Sequence, residues 1–389
     1  MLKVITVFGT RPEAIKMAPL VRKLRETPHV RCLVAVSAQH REMLDGVLEL
    51  FNIIPDYDLD IMREGQTLSQ ITWRVLEGLG EIFRREQPDL VLVHGDTTTT
   101  FAAALAAFYE QIPVGHVEAG LRTGNKYAPF PEELNRRLTG AIADWHFAPT
   151  EQAKQNLLRE NVDPESIFVT GNTVIDALLD AVAETEGIVE EPELRKIDFD
   201  KKVLLLTAHR RENWGEPMRD IFCALKRIVA EHPDVELVFP VHKNPKVRTT
   251  AREVLSGEPR IHLIEPLDYA QFVYLMHRSH LVLTDSGGLQ EEAPALGKPV
   301  LVLRDITERP EAVEAGTVRV VGTREEEVYR HTKALLTDRE LYRQMAEAVN
   351  PYGDGQASRR IVEALLFVSG QSRERPEPFM PGRFPKFVK

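Results

Sequence analysis

Residues 90–109 read LVLVHGDTTTTFAAALAAFY, and this stretch decides the fold. Leu90 to Val93 are apolar on successive positions rather than on alternate ones, the pattern of a parallel strand covered on both faces. His94-Gly95-Asp96 ends the run, and a helical stretch follows from Thr98 to Tyr109. Strand, polar turn and helix make one βα unit. Working outward, strands are expected at Lys3–Phe8, Arg31–Ser37, Pro113–Val117, Trp145–Ala148 and Ile167–Thr170, with helices such as Pro12–Glu26 and Leu68–Arg85 between them. The pattern restarts with VLLLT at 203–207. Lys202–Thr207, Val235–Pro240, Ile261–Ile264, Leu281–Thr284, Val300–Leu303 and Val318–Val321 form a second set. The chain is therefore expected to be an α/β protein with two doubly wound domains, divided near the acidic connection Glu184–Asp200 and enclosing a cleft. A last helix is expected at Gln356–Val368, followed by a basic, proline-rich tail over 371–389 that lies extended or disordered.

Composition narrows the function. Hydrophobic residues are 43% of the 389 and charged residues 28%, as in ordinary folded domains, which excludes a disordered or fibrous chain. The net charge of −10 argues against a general nucleic-acid binder and leaves room for local phosphate sites. No apolar run reaches the ~20 residues of a membrane helix, so no membrane insertion is expected. Met1–Phe8 is too short and strand-like for a signal peptide. Cys32 and Cys223 read as buried thiols in a cytoplasmic, reducing setting. The histidines lack ligand spacing, so no metal is expected.

Chemistry concentrates just past strand ends. Phe8-Gly9-Thr10-Arg11-Pro12 opens a helix whose free N–H groups would favour an anion, helped by Arg11 and Lys16. Asp285-Ser286-Gly287-Gly288 opens another, with Ser286 as a cap and two glycines admitting a phosphate. Neither junction is a Walker loop or a G-x-G-x-x-G fingerprint, which counts against ATP and NAD. Glu292 would be repelled by a diphosphate and suits a ribose diol instead. His209-Arg210-Arg211 forms a candidate diphosphate clamp, repeated more weakly around His242. Asp96, Glu118 and the Glu132-Glu133 pair offer carboxylates for acid/base work, one of that pair being expected merely to favour its helix N-terminus.

These stretches, with PFPEELNRRLTG (129–140), TAHRRENWGEP (207–217) and LTDSGGLQEEAPALGKPVLVLRDITERPE (283–311), closely resemble the non-hydrolysing UDP-N-acetylglucosamine 2-epimerases. The resemblance runs from residue 7 to about residue 361 and stops before the tail. It implies a glycosyltransferase-B-like fold, with domains at 1–170 and 171–355 and the helix near 356–370 returning to the first. It implies reversible inversion at C2 of UDP-N-acetylglucosamine, in a homodimer, with no redox cofactor. By motif position the acid/base candidates are Asp96, Glu118 and Glu132, with His209 in the catalytic set. Substrate contacts fall on Arg11, Lys16, Arg136, Leu267, Phe272, Ser286, Gly287, Gly288, Glu292 and Arg309. Bacterial relatives often use a second UDP-N-acetylglucosamine as activator, whose site would lie near Gln39, Arg210 and His242. A hydrolysing epimerase or a transferase using a UDP-sugar donor are the rival readings.

Overall fold

The computed structural model describes residues 1–38, 41–184 and 192–382. The chain forms two compact units, one from Met1–Ala177 with Tyr352–Met380, the other from Leu178–Pro351. Part of the expected connection (185–191), the end of the tail (383–389) and Gln39 lie outside the described residues.

The first unit holds seven strands: β1 (Leu2–Phe8), β2 (Val30–Val36), β3 (Tyr57–Asp58), β4 (Leu90–His94), β5 (Val114–Val117), β6 (Trp145–Ala148) and β7 (Ile167–Val169). Every pairing is parallel, in the order β3-β2-β1-β4-β5-β6-β7. The second unit holds β8 (Lys202–Thr207), β9 (Val235–Pro240), β10 (Ile261–Ile264), β11 (Leu281–Thr284), β12 (Val300–Val302) and β13 (Val318–Val320), parallel in the order β10-β9-β8-β11-β12-β13. Twelve of these strands match the expected ones to within a residue at either end. Only the two-residue β3 was not anticipated, being too short to show an apolar run. In both sheets the chain direction across the sheet reverses once, between β1 and β4 and between β8 and β11. Crevices outside the carboxyl ends of such strand pairs are where doubly wound sheets bind ligands.

Burial follows from this layering. Leu90–His94 and Leu281–Thr284 are buried along their whole length, because helices cover both faces. The returning segment is tied to the first unit by polar contacts. Asp176 accepts the backbone N–H groups of Ala357 (3.1 Å) and Ser358 (2.7 Å), capping the helix Ala357–Val368. Arg360, 1% exposed, bonds Asp354 and the Thr170 carbonyl. The tail continues as an extended strip, where Phe379 donates its N–H to Val169 O and Arg375 lies over the Phe168 ring. No helix among the described residues is long and apolar enough to cross a membrane.

Candidate active site

At the first turn, beyond β1, the two N–H groups just ahead of the helix are taken by the protein itself. Glu13, 2% exposed, folds back from the helix Arg11–Glu26, and its Oε2 accepts the N–H of Gly9 (3.0 Å) and of Thr10 (2.8 Å). The protein's own carboxyl group thus takes the donors that lead into the helix. Gly9 is there for packing, because a Cβ would fall 1.9 Å from Ser37 Oγ. Anion contact in this turn is left to side chains. Arg11 makes no hydrogen bond or ion pair among the described residues, whereas Lys16 reaches across to Glu118.

Glu118 follows β5 directly and holds a left-handed backbone, φ +62°. A non-glycine residue pays strain for that conformation, and such strain gathers at functional sites. Its Oε2 receives Lys16 Nζ and Asn172 Nδ2 (3.1 Å), and His94 Nε2 lies 3.6 Å away. A Cβ on Gly95 would sit 3.9 Å from Glu118 Oε1, so this carboxylate adjoins the turn that carries Asp96. Asp96 is oriented by Arg136, whose Nε and Nη2 both reach Oδ2 (2.9 and 2.6 Å), while Asn135 bonds its carbonyl at 2.9 Å. Both partners come from the helix Glu132–Ile142.

That helix separates the two adjacent acids. Glu133 is fully buried and accepts the N–H groups of Thr123 (3.0 Å) and Gly124 (3.1 Å) and Arg136 Nη1 (3.0 Å). Burial raises its pKa, but these hydrogen bonds and the arginine charge outweigh it and hold the carboxyl below its ordinary value. Glu132 is half-buried with no bonded partner among the described residues. The structural member of the pair is therefore Glu133, and Glu132 is the one free to act. Beneath this cluster lie three histidines that the sequence reading did not group. His116 and His146 oppose each other across β5 and β6, and His94 closes β4. Burial pushes them down to about 4 (His94), about 3 (His116) and about 4 (His146), so they are neutral at neutral pH. His116 Nε2 donates to Gly95 O at 2.7 Å, supporting the Asp96 turn from below.

In the second unit, Asp285 organises the turns after β8 and β11. It is fully buried, and its Oδ2 accepts the N–H of His209 (2.9 Å), the N–H of Arg210 (2.9 Å) and Asn213 Nδ2 (3.1 Å). His209 Nδ1 stands 3.2 Å from Asp285 Oδ1 and its ring stacks on His242. His242 Nδ1 accepts the N–H of Asn244, which leaves the proton on Nε2. Burial and His209 lower its pKa. Sequence reasoning passed over Asp285, although its place between a strand and a Gly-Gly turn was a signal. Ser286 does not cap the helix Leu289–Ala295, which starts after Gly288; its N–H instead bonds Thr284 Oγ1. Gly287 and Gly288 have negative φ, and the nearest neighbours of an added Cβ lie at 3.6 and 3.8 Å. Those neighbours are the Glu308 and Glu292 carboxylates at ordinary contact distance, so packing does not demand glycine at either position. Glu291 and Glu292 differ in burial. Glu291 is buried and bonds Arg309, while Glu292 is more exposed. Arg309 was expected on the substrate and has this protein partner as well. Arg210 donates to Asp285 O (3.1 Å) and faces Glu308. Leu267 precedes, and Phe272 lies within the first turn of, the helix Tyr269–Arg278, both half-buried. Among the described residues no group of three ligating side chains gathers as a metal centre would.

Two parallel sheets, each with its polar groups collected where its strand order reverses, define the glycosyltransferase-B-like class of α/β proteins. Residues 22–366 match the family model for UDP-N-acetylglucosamine 2-epimerase. The UDP-N-acetylglucosamine 2-epimerase of Bacillus subtilis is 62% identical over 97% of this chain and 98% of its own. The S. aureus MnaA–UDP co-structure superimposes with a TM-score of 0.87 at 52% identity, covering 98% of this chain and 100% of that one. The Neisseria meningitidis UDP-GlcNAc 2-epimerase bound to UDP-GlcNAc gives 0.84 at 52% identity, covering 94% and 100%. The chain belongs to the UDP-N-acetylglucosamine 2-epimerase family.

Proposed function

We propose that the protein interconverts UDP-N-acetylglucosamine and UDP-N-acetylmannosamine by eliminating UDP and adding it back. The C2 hydrogen is not next to a carbonyl, so direct deprotonation is unfavourable. In elimination, a carboxylate takes the C2 proton as the C1–O bond breaks. The bonding pair of the C–H bond forms the C1=C2 double bond of a 2-acetamidoglucal, and the C1–O pair leaves with UDP. A proton then returns to the opposite face of C2 and UDP adds again at C1. Inversion needs acid/base groups on two faces of the sugar, and Asp96, Glu118 and Glu132 come from three separate segments. In this reading the second unit holds the nucleotide. His209 and the Gly287-Gly288 turn take the diphosphate, stabilising charge on the leaving group, and Glu292 takes the ribose. The observation that carries the reading is the network joining Lys16 to Glu118 and Arg136 to Asp96 at the carboxyl ends of β4 and β5.

Incubation with UDP-N-acetylglucosamine in D2O, followed by NMR, tests it. Deuterium at C2 in both epimers, with UDP still attached, is the expected result. Net release of free sugar would instead mark a hydrolysing enzyme, and absence of exchange would mark a transferase. We further assign the protein as a cytoplasmic homodimer without a redox cofactor, with an activating UDP-N-acetylglucosamine near Arg210 and His242. Helices Leu68–Glu86, Thr98–Tyr109 and Glu132–Ile142 pack side by side, and Trp73, Phe108, Tyr109, Leu134 and Leu138 on them are exposed. Large apolar side chains exposed on three neighbouring helices suit a second copy of the chain.

A further inference from the structure

Glu13 does more than close its helix. Capping the N-terminus of Arg11–Glu26 requires only Oε2, which also accepts the Thr10 hydroxyl at 2.8 Å. Its other oxygen, Oε1, faces away from that helix and receives the hydroxyls of Thr97 (2.7 Å) and Thr100 (3.0 Å). Thr97 directly follows Asp96 and caps the helix Thr98–Tyr109. Thr100 Oγ1 also reaches the His94 carbonyl at 2.5 Å. One carboxyl group therefore joins the turn bearing Arg11 to the turn bearing Asp96, the two turns on either side of the reversal between β1 and β4. No step of the proposed reaction uses it.

We propose that Glu13 is a positioning residue for the epimerisation: its buried carboxyl group staples the Gly9–Arg11 turn to the Asp96–Thr100 turn and so fixes Asp96 relative to Arg11. This rests on the reading of Asp96 as an acid/base group. The donor inventory says which substitution preserves the staple. A glutamine oxygen at the Oε2 position accepts from Gly9 and Thr10, and its NH2 at the Oε1 position donates to the Thr97 and Thr100 hydroxyls, which accept as well as donate. Burial raises the Glu13 pKa, in spite of the hydrogen bonds from Thr97, Thr10, Gly9 and Thr100, so the neutral form is favoured there relative to water. An uncharged amide therefore fits, whereas alanine leaves Gly9 N–H, Thr10 N–H and two hydroxyls without their partner.

The test compares Glu13→Gln and Glu13→Ala with the parent. Turnover, KM and the isotope effect of deuterium at C2 are read together with hydrogen–deuterium exchange of peptides spanning 9–13 and 94–101. Glu13→Ala should lower kcat about 100-fold, the scale of a catalytic group misplaced by about 1 Å. It should also enlarge the isotope effect, because proton transfer from a displaced Asp96 becomes more limiting. Protection should fall in both peptides and stay unchanged in β8–β12. Glu13→Gln should stay within about 3-fold of the parent in kcat and keep both peptides protected. Thr97→Val, which removes the Asp96-side bond to Glu13 together with the cap on Thr98–Tyr109, should lower kcat more than it changes KM, with Thr97→Ser restoring both contacts and the rate. That pair decides the matter if Glu13→Ala does not fold. The proposal is overturned if Glu13→Ala keeps its kcat, if glutamine is as damaging as alanine, or if rate falls with an unchanged isotope effect, which marks lost active protein. A parent that never exchanges the C2 proton refutes the epimerase reading, and the exchange data on the two turns still decide the staple.

Discussion

Acidification should destabilise the first unit well before its carboxylates titrate, and the buried histidines set the size of the effect. His94, His116 and His146 are at most 3% exposed and are pushed from the ordinary value near 6.5 down to about 4, 3 and 4. The sign follows from which state binds the proton. Below about pH 6.5 the unfolded chain protonates each ring and the folded unit does not, so stability present above that pH is lost as pH falls towards the folded values. For a ring at 4 against 6.5, the loss at about pH 5 is RT ln[(1 + 10^1.5)/(1 + 10^−1)], or about 2 kcal/mol. The three rings lie close enough to influence one another, so their losses are not simply added, but one ring alone is already a sizeable share of a domain's typical 5–15 kcal/mol. Glu13, raised rather than lowered, works in the opposite direction over the same acid range, so the cleanest measurement is a difference. His116→Gln retains a neutral side-chain donor and removes one titrating ring. In a Trp214→Phe background, the remaining tryptophans, Trp73 and Trp145, both report on the first unit. Urea unfolding by fluorescence, at one protein concentration, should show the parent losing about 2 kcal/mol more than His116→Gln between about pH 8 and pH 5. Equal losses in the two proteins, with the His116 ring titrating near 6.5 by NMR, would refute the assignment of burial as the controlling force.

Other expectations can be checked more briefly. Asp96→Asn and Glu118→Gln should each lower turnover by about two to four orders of magnitude, and near-normal turnover in a C2-exchange assay removes that residue from the mechanism. Arg11→Ala and His209→Ala should weaken UDP binding by about 10-fold or more in calorimetry, and unchanged affinity rejects their role. Gly288→Ala should leave the midpoint of thermal unfolding of the second unit unmoved but reduce UDP affinity, whereas Gly9→Ala should destabilise the first unit, since its Cβ has no space beside Ser37. Replacing Phe108 and Tyr109 by arginine should convert a dimer to a monomer in light scattering; a parent that is already monomeric refutes the apolar face as an interface.

Strands and helices were legible because both faces of each sheet are covered, which writes every inner strand as a short apolar run. The sites were legible only as far as chemistry is local. Asp96, Glu118 and His209 are candidates because they stand just past strand ends, the region where doubly wound sheets bind ligands. Within Glu132-Glu133 the residues themselves leave the choice open and only the resemblance singles out Glu132, and the structural part of Glu291 beside Glu292 was not readable. Which carboxylate turns inward depends on where Arg136 and Arg309 lie once the chain has folded. The histidine row was hidden for the same reason, since His116 and His146 meet only through the register of β5 on β6.

The misread turn at Gly9 is different, because its correction was written in the sequence. Thr10-Arg11-Pro12-Glu13 has the form of a capping box, in which the fourth residue reaches back to the first N–H. A helix start with that signature turns its outermost donor towards the protein's own carboxyl group. The junction at 285–292 has no such box. Asp285 binds the turn after β8 rather than the start of its own helix, and the glycines carry no packing demand. The same physical rule, that helix starts attract negative charge, thus separates the two junctions. It makes the first a structural anchor between the turns of Arg11 and Asp96, and the second the junction to which the proposed function assigns the diphosphate.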